Sequence, residues 1–102
     1  MKLDYNRESL VRFCREHGIA RLELFGSALR EDFSQDSDVD LLATLRSESR
    51  PTWLDWAAMQ EELAVLFGRP VDLVSRRAIE RSRNPYRQQS ILATATPIYA
   101  EG

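Results

Sequence analysis

"LFGSALREDFSQDSDVDLLATL", residues 24–45, is the stretch from which the rest of the chain is read. An apolar segment leaves through Gly26-Ser27, crosses a polar stretch, and returns as an apolar run headed by acids at alternate positions, Asp36, Asp38 and Asp40. Carboxylates this close repel one another, and a buried one without a partner is costly. Two agents can compensate. One is water, at a plain polar turn; the other is a bound cation, at a site.

Alternation places the acids. Asp38 to Thr44 reads as a strand with Val39 and Leu41 on one face and Asp38 and Asp40 on the other, the two acids roughly 6.6 Å apart. Upstream, Arg21 to Phe25 also alternates and puts Leu22 and Leu24 on one face of a second strand. Gly26-Ser27 ends it, Ser27 to Arg30 begins a short helix with Ser27 near its cap, and 31–37 is a polar loop. There Asp36 is solvated and Ser37 is a turn or cap residue.

Further out, the spacing predicts a helix from about Arg7 to His17, capped by Asn6, stopped by Gly18 and buried along Leu10, Phe13 and Cys14. Thr52 with Asp55 starts a helix running to Phe67 and ending at Gly68-Arg69-Pro70. Trp53, Trp56, Leu63, Leu66 and Phe67 supply its apolar surface, the tryptophans as packing rather than as a ligand box. Val71 to Val74 is a short strand, and Ser75 caps a helix through about Arg81. Asn84-Pro85 opens another helix with Pro at its first position. Thr96 to Tyr99 makes an edge strand, where Pro97 is tolerated. Strands and helices in this order predict an α/β (α+β) fold, a small mixed β-sheet packed by helices.

Bulk properties narrow the function. The 102 residues predict a single domain spanning 1–102, with 43% hydrophobic residues to build one core. There is no apolar stretch near the roughly 20 residues of a membrane span and no secretory h-region, so no membrane partner is expected. Cys14 is the only cysteine and there is one histidine, which excludes an intramolecular disulfide and a Cys/His zinc site and points to a cytoplasmic protein. Any metal would be a hard cation held by oxygens. Apart from Lys2 every basic residue is arginine. Arg76, Arg77, Arg81, Arg83 and Arg87 form either a solvated helix face or a surface for phosphates or an acidic partner.

A third acid, Asp72, sits on the Val71–Val74 strand. If that strand pairs beside the Asp38–Thr44 strand, three carboxylates meet on one face, and Mg²⁺ would supply the compensating charge. An EF-hand is excluded: counting from Asp36, its Gly and Glu positions hold Leu41 and Ser47. Gly26 lets a backbone approach a ligand, and the helix N-terminus after it offers free N–H groups to an anion, with the Ser27 hydroxyl beside them.

Gly26-Ser27, ten residues, then Asp38-Val39-Asp40 forms G-S-x10-D-x-D, which chance produces in about one in a thousand chains of this length. Set between two strands, it resembles the signature of the DNA polymerase beta-type nucleotidyltransferase superfamily. Arg30, the run Ser37-Asp-Val-Asp-Leu-Leu42, Val71-Asp-Leu-Val74, Asn84-Pro-Tyr and Thr96-Pro-Ile-Tyr99 resemble its minimal nucleotidyltransferase (MNT) family, over roughly residues 20–100. The resemblance implies the nucleotidyltransferase fold and a two-metal, in-line displacement on ATP. It implies that Asp38 and Asp40 hold two Mg²⁺ ions. It further implies that Asp72 binds one of them and helps activate the attacking hydroxyl, and that Gly26, Ser27 and Arg30 grip the triphosphate. Glu31 departs from the pattern, since many relatives carry Gly there.

For the acceptor, the resemblance implies the antitoxin of a HEPN/MNT toxin–antitoxin system, moving AMP to a tyrosine of a HEPN-type ribonuclease toxin. Two other readings stay open. One is a non-catalytic antitoxin that occludes its partner through the arginine run and the exposed parts of Trp53 or Trp56. The other is a nucleotidyltransferase acting on RNA ends, against which the sequence pI of about 5.4 argues. His17 reads as a favourable helix-end charge or a surface residue, Cys14 as core filler, and Asp55 as a helix-start residue.

Overall fold

The structure is a computed structural model that describes residues 5–26, 38–81 and 83–101. Helix α1 (Arg7–Glu16) leads into β1 (Ile19–Phe25), and β2 (Val39–Leu45) follows. Helix α2 (Trp53–Phe67) then crosses to β3 (Val71–Ser75), succeeded by α3 (Arg76–Glu80), α4 (Pro85–Thr94) and β4 (Thr96–Ala100). The strands form one sheet in the order β3-β2-β1-β4. Only β2 and β3 run parallel; β1 is antiparallel to β2 and to β4. The parallel pair requires a long crossover, which α2 provides.

Local chemistry accounts for the helix ends. Asn6 accepts a hydrogen bond from the Ser9 N–H and opens α1. Thr52 and Asp55 form a reciprocal capping box at the start of α2, and Gly68, at φ 70°, closes it in the left-handed conformation only glycine adopts freely. Ser75 caps α3 through the Ala78 N–H. The α1, α2 and edge-strand expectations hold; β1 begins two residues earlier than the alternation suggested, and β2 keeps the expected length but is shifted one residue along the chain.

The two faces of the sheet are covered unequally. Leu22, Leu24, Val39, Leu41, Val71 and Leu73 join Leu10, Phe13 and Cys14 of α1 and Met59, Leu63 and Phe67 of α2 in the main core. Opposite, Phe25 and Leu42 meet Ile79 of α3 and Ile91 of α4 in a smaller cluster. One expectation needs correcting. Trp53 is 78% exposed and stays outside the main core, against which Trp56 packs instead.

Candidate active site

Two of the acids singled out above, Asp40 and Asp72, are brought side by side through strand register. Val39 pairs with Val71 and Asp40 with Asp72 across β2 and β3. Adjacent strands lie about 4.8 Å apart, so register partners of a parallel pair project their side chains to the same face. Asp38 lies one residue before β2, two positions from Asp40, and shares that face. The start of both strands is pinned by the Val39 N–H donating to the Pro70 carbonyl at 2.9 Å. Between the acids, Val39 and Val71 turn into the main core. Burial of the valines thus aims the carboxylates outward: Asp38 and Asp72 are exposed and Asp40 is half-buried.

Strand β1 ends where β2 and β3 begin. Phe25 pairs with Asp40, so Gly26 follows immediately beside the Asp40 carboxylate. Gly26 has φ +68°, and a Cβ built on it would stand 2.5 Å from Asp40 Oδ2. The backbone angle favours glycine, and any side chain here would have to displace the Asp40 carboxylate. Ser27, Arg30 and Glu31 lie outside the described residues, as do the short helix expected at Ser27–Arg30 and the loop expected at 31–37.

The donor set suits a hard cation, since every available group is a carboxylate oxygen. Among the described residues, no group of three His, Cys, Asp or Glu side chains is gathered so as to hold an ion by itself. A divalent ion at Asp40 and Asp72 would complete its shell with phosphate and water oxygens, the usual mode for Mg²⁺. The residues fit the ion on those terms.

Behind the acids, the same face carries a charge that sequence reasoning passed over. Glu23 is 3% exposed. Arg76, the first residue of α3, reaches across β2 to donate from Nη1 to Glu23 Oε1 at 2.7 Å, and Arg21 Nε stands 3.4 Å from the same oxygen. Arg76 accordingly does not belong to an outward arginine surface, whereas Arg77, Arg81 and Arg83 do face solvent. The available signal was phase: Glu23 shares a strand face with Phe25, and a charge on a face that also carries a large apolar residue needs a partner. His17 likewise has a specific role, its Nε2 lying 2.7 Å from Glu62 and its ring against Phe13.

Comparison with known proteins follows the same geometry. Residues 7–96 match the nucleotidyltransferase domain family. A protein adenylyltransferase of Thermococcus cleftensis, MntA, is 35% identical over 63 residues, covering 62% of each chain. A solved structure bearing the name minimal nucleotidyltransferase superposes with a TM-score of 0.68 at 35% identity, covering 90% of this chain and 88% of the other. A Shewanella oneidensis complex of a tri-AMPylated HEPN toxin with an MNT antitoxin shares the fold, with a TM-score of 0.61 at 17% identity over 92% of this chain and 69% of the other.

Proposed function

Since this chain belongs to the minimal nucleotidyltransferases, we propose that it transfers AMP from ATP to a tyrosine hydroxyl of a HEPN-type toxin and thereby acts as its antitoxin. The observation that carries the reading is the register that sets Asp40 against Asp72 with Gly26 at the Asp40 carboxylate. The similar MntA is a protein adenylyltransferase, and the structurally similar MNT antitoxin is bound to a toxin carrying AMP.

The steps follow from the residues. Gly26 leaves space for the triphosphate to approach the end of β1, and Ser27 and Arg30 grip it. Asp38, Asp40 and Asp72 would hold two Mg²⁺ ions, which would supply charge to neutralise the α-phosphate and the departing pyrophosphate. A carboxylate oxygen of Asp72 takes the acceptor's hydroxyl proton as its oxygen bonds to the α-phosphorus. The bond from that phosphorus to the β-phosphate bridge breaks in line, and pyrophosphate leaves. The protein's part is positioning and charge placement.

Incubation with ATP, Mg²⁺ and the cognate HEPN toxin, read by intact mass, tests this. The toxin gains one or more AMP units with the unaltered chain and none with Asp38→Asn or Asp40→Asn, both of which keep the fold. A second reading draws on the exposed Trp53 and Leu54, at 78% and 63%, as an apolar docking patch. A toxin silenced without a gain in mass, and equally by the aspartate variants, would replace transfer with occlusion.

A further inference from the structure

Strand β3 is an edge of the sheet, so every second residue along it presents its N–H and C=O to the open side. Leu73 is such a residue, and with 4% exposure it has little water to satisfy those groups. Two side chains of α2 replace the missing strand. The Leu73 N–H donates to Gln60 Oε1 at 2.8 Å, and the Leu73 carbonyl accepts from Trp56 Nε1 at 3.0 Å. Trp56 and Gln60 are four residues apart, so they stand on one face of the helix, one above the other. Their spacing matches the two polar groups of a single strand residue.

The residue held in this way is the immediate neighbour of Asp72. Peptide groups alternate sides along a strand, so those of Asp72 turn to β2, where Asp72 pairs with Asp40. The strand is thus gripped on one side at 72 by β2 and on the other at 73 by α2. Val71 and Leu73, buried in the main core, set which face of β3 turns inward, and the hold on the Leu73 backbone fixes the strand's open side, on which the stance of the Asp72 carboxylate relative to Asp40 also depends.

We propose that Trp56 and Gln60 are positioning residues for Asp72, a side-chain clamp on Leu73 that sets the third carboxylate of the metal site. The proposal rests on the assignment of Asp72 as a metal ligand. Neither side chain touches the reacting atoms; both act through the backbone of β3. What the clamp needs is chemical and specific: an acceptor at 60 and a ring N–H at 56.

The test measures two quantities on the full chain: exchange of the Leu73 amide hydrogen, and Mn²⁺ affinity by calorimetry in the presence of AMP-PNP. Gln60→Leu removes the acceptor, and Trp56→Phe removes the donor while keeping a ring. Each weakens Mn²⁺ binding about tenfold, the scale on which partners behind a metal ligand act, and Gln60→Leu speeds Leu73 exchange. Gln60→Glu and Trp56→His keep an acceptor and a ring N–H respectively, and restore near-normal binding. In an Asp72→Asn background Gln60→Leu has no further effect, because the residue it acts through is gone. Faster Leu73 exchange with unchanged Mn²⁺ affinity overturns the proposal, as does an equal loss in both backgrounds. Asp72→Asn binding Mn²⁺ as tightly as the unaltered chain overturns the assignment of Asp72 itself, a failure visible in that variant alone.

Discussion

Glu23 and Gly26, three residues apart on and just after β1, show how different the demands on single positions are. Glu23 is a buried acid whose main partner is Arg76. Breaking a buried pair leaves a charge uncompensated, though Arg21 remains nearby, so Arg76→Ala destabilises the fold by about 2–4 kcal/mol, measurable by urea unfolding. Glu23→Gln costs less, because a neutral amide still accepts from Arg76. Gly26→Ala forces a side chain into the space held by Asp40 Oδ2 and a strained φ on the backbone. Its expected outcome is a folded chain with AMP transfer lowered at least tenfold, the scale of a misplaced reacting group, and the toxin mass assay reads it. Cys14 is the contrary case, a residue with no demand beyond volume. Burial pushes its thiol up to about 12, so a maleimide reacts with it only after unfolding. Of these positions, Gly26 and Cys14 were legible in the sequence. For Glu23 only the need of a partner was legible, from its strand phase, and not the partner itself, because the arginine that balances it lies 53 residues away.

At the scale of elements, helix ends and strand edges do most of the specifying. The α2 capping box is written locally as Thr52 and Asp55, and the sequence shows it as plainly as the structure does. Thr52→Ala costs about 1 kcal/mol, seen as a lowered thermal midpoint. Hydrogen bonding to the Thr52 N–H and hydroxyl holds the Asp55 carboxyl below its ordinary value. A carboxyl depressed in the fold binds its proton more weakly there than in the unfolded chain. Its contribution is therefore complete above the ordinary aspartate value of about 3.9 and is lost as pH falls through the lower folded value. Acid titrations of the unaltered chain and Asp55→Ala should converge only at that acid end. Edges behave differently. At β4, Pro97 lacks an N–H and Arg7 Nη1 donates to the Ile98 carbonyl at 3.1 Å; at β3, Trp56 and Gln60 serve Leu73. Of these devices only Pro97 is recognisable before folding. The others depend on a helix arriving beside a strand.

Across the whole molecule, the sheet separates two ends. The acids stand where β2 and β3 begin, while Arg46, just past the other end of β2, pairs with Glu101 at 2.6 Å about six residues, or roughly 20 Å, away. Hydrogen bonding to Glu101, then its charge, raises the Arg46 pKa further. The pair is well exposed and screened by solvent, so Arg46→Ala should leave the thermal midpoint nearly where it was and AMP transfer unchanged; a loss of transfer would show that the ends are coupled. Among the described residues no helix is long and apolar enough to cross a membrane. What the sequence determined by itself was whatever is encoded within a few residues: strand phase at Asp38 and Asp40, the caps at Asn6, Thr52 and Ser75, the stop at Gly68, and the spacing from Gly26 to Asp40 that carries the family signature. What only tertiary structure decided was which distant residues became neighbours. Asp72 faces Asp40 because β3 pairs parallel to β2, Arg76 crosses the sheet to Glu23, and Trp56 and Gln60 close on Leu73. The physical reason is that periodicity and capping arise from contacts along the chain. Register between strands, and the partner of a buried charge, are settled by burial of the valines and leucines on the opposite face, a condition on the assembled core that no local stretch contains.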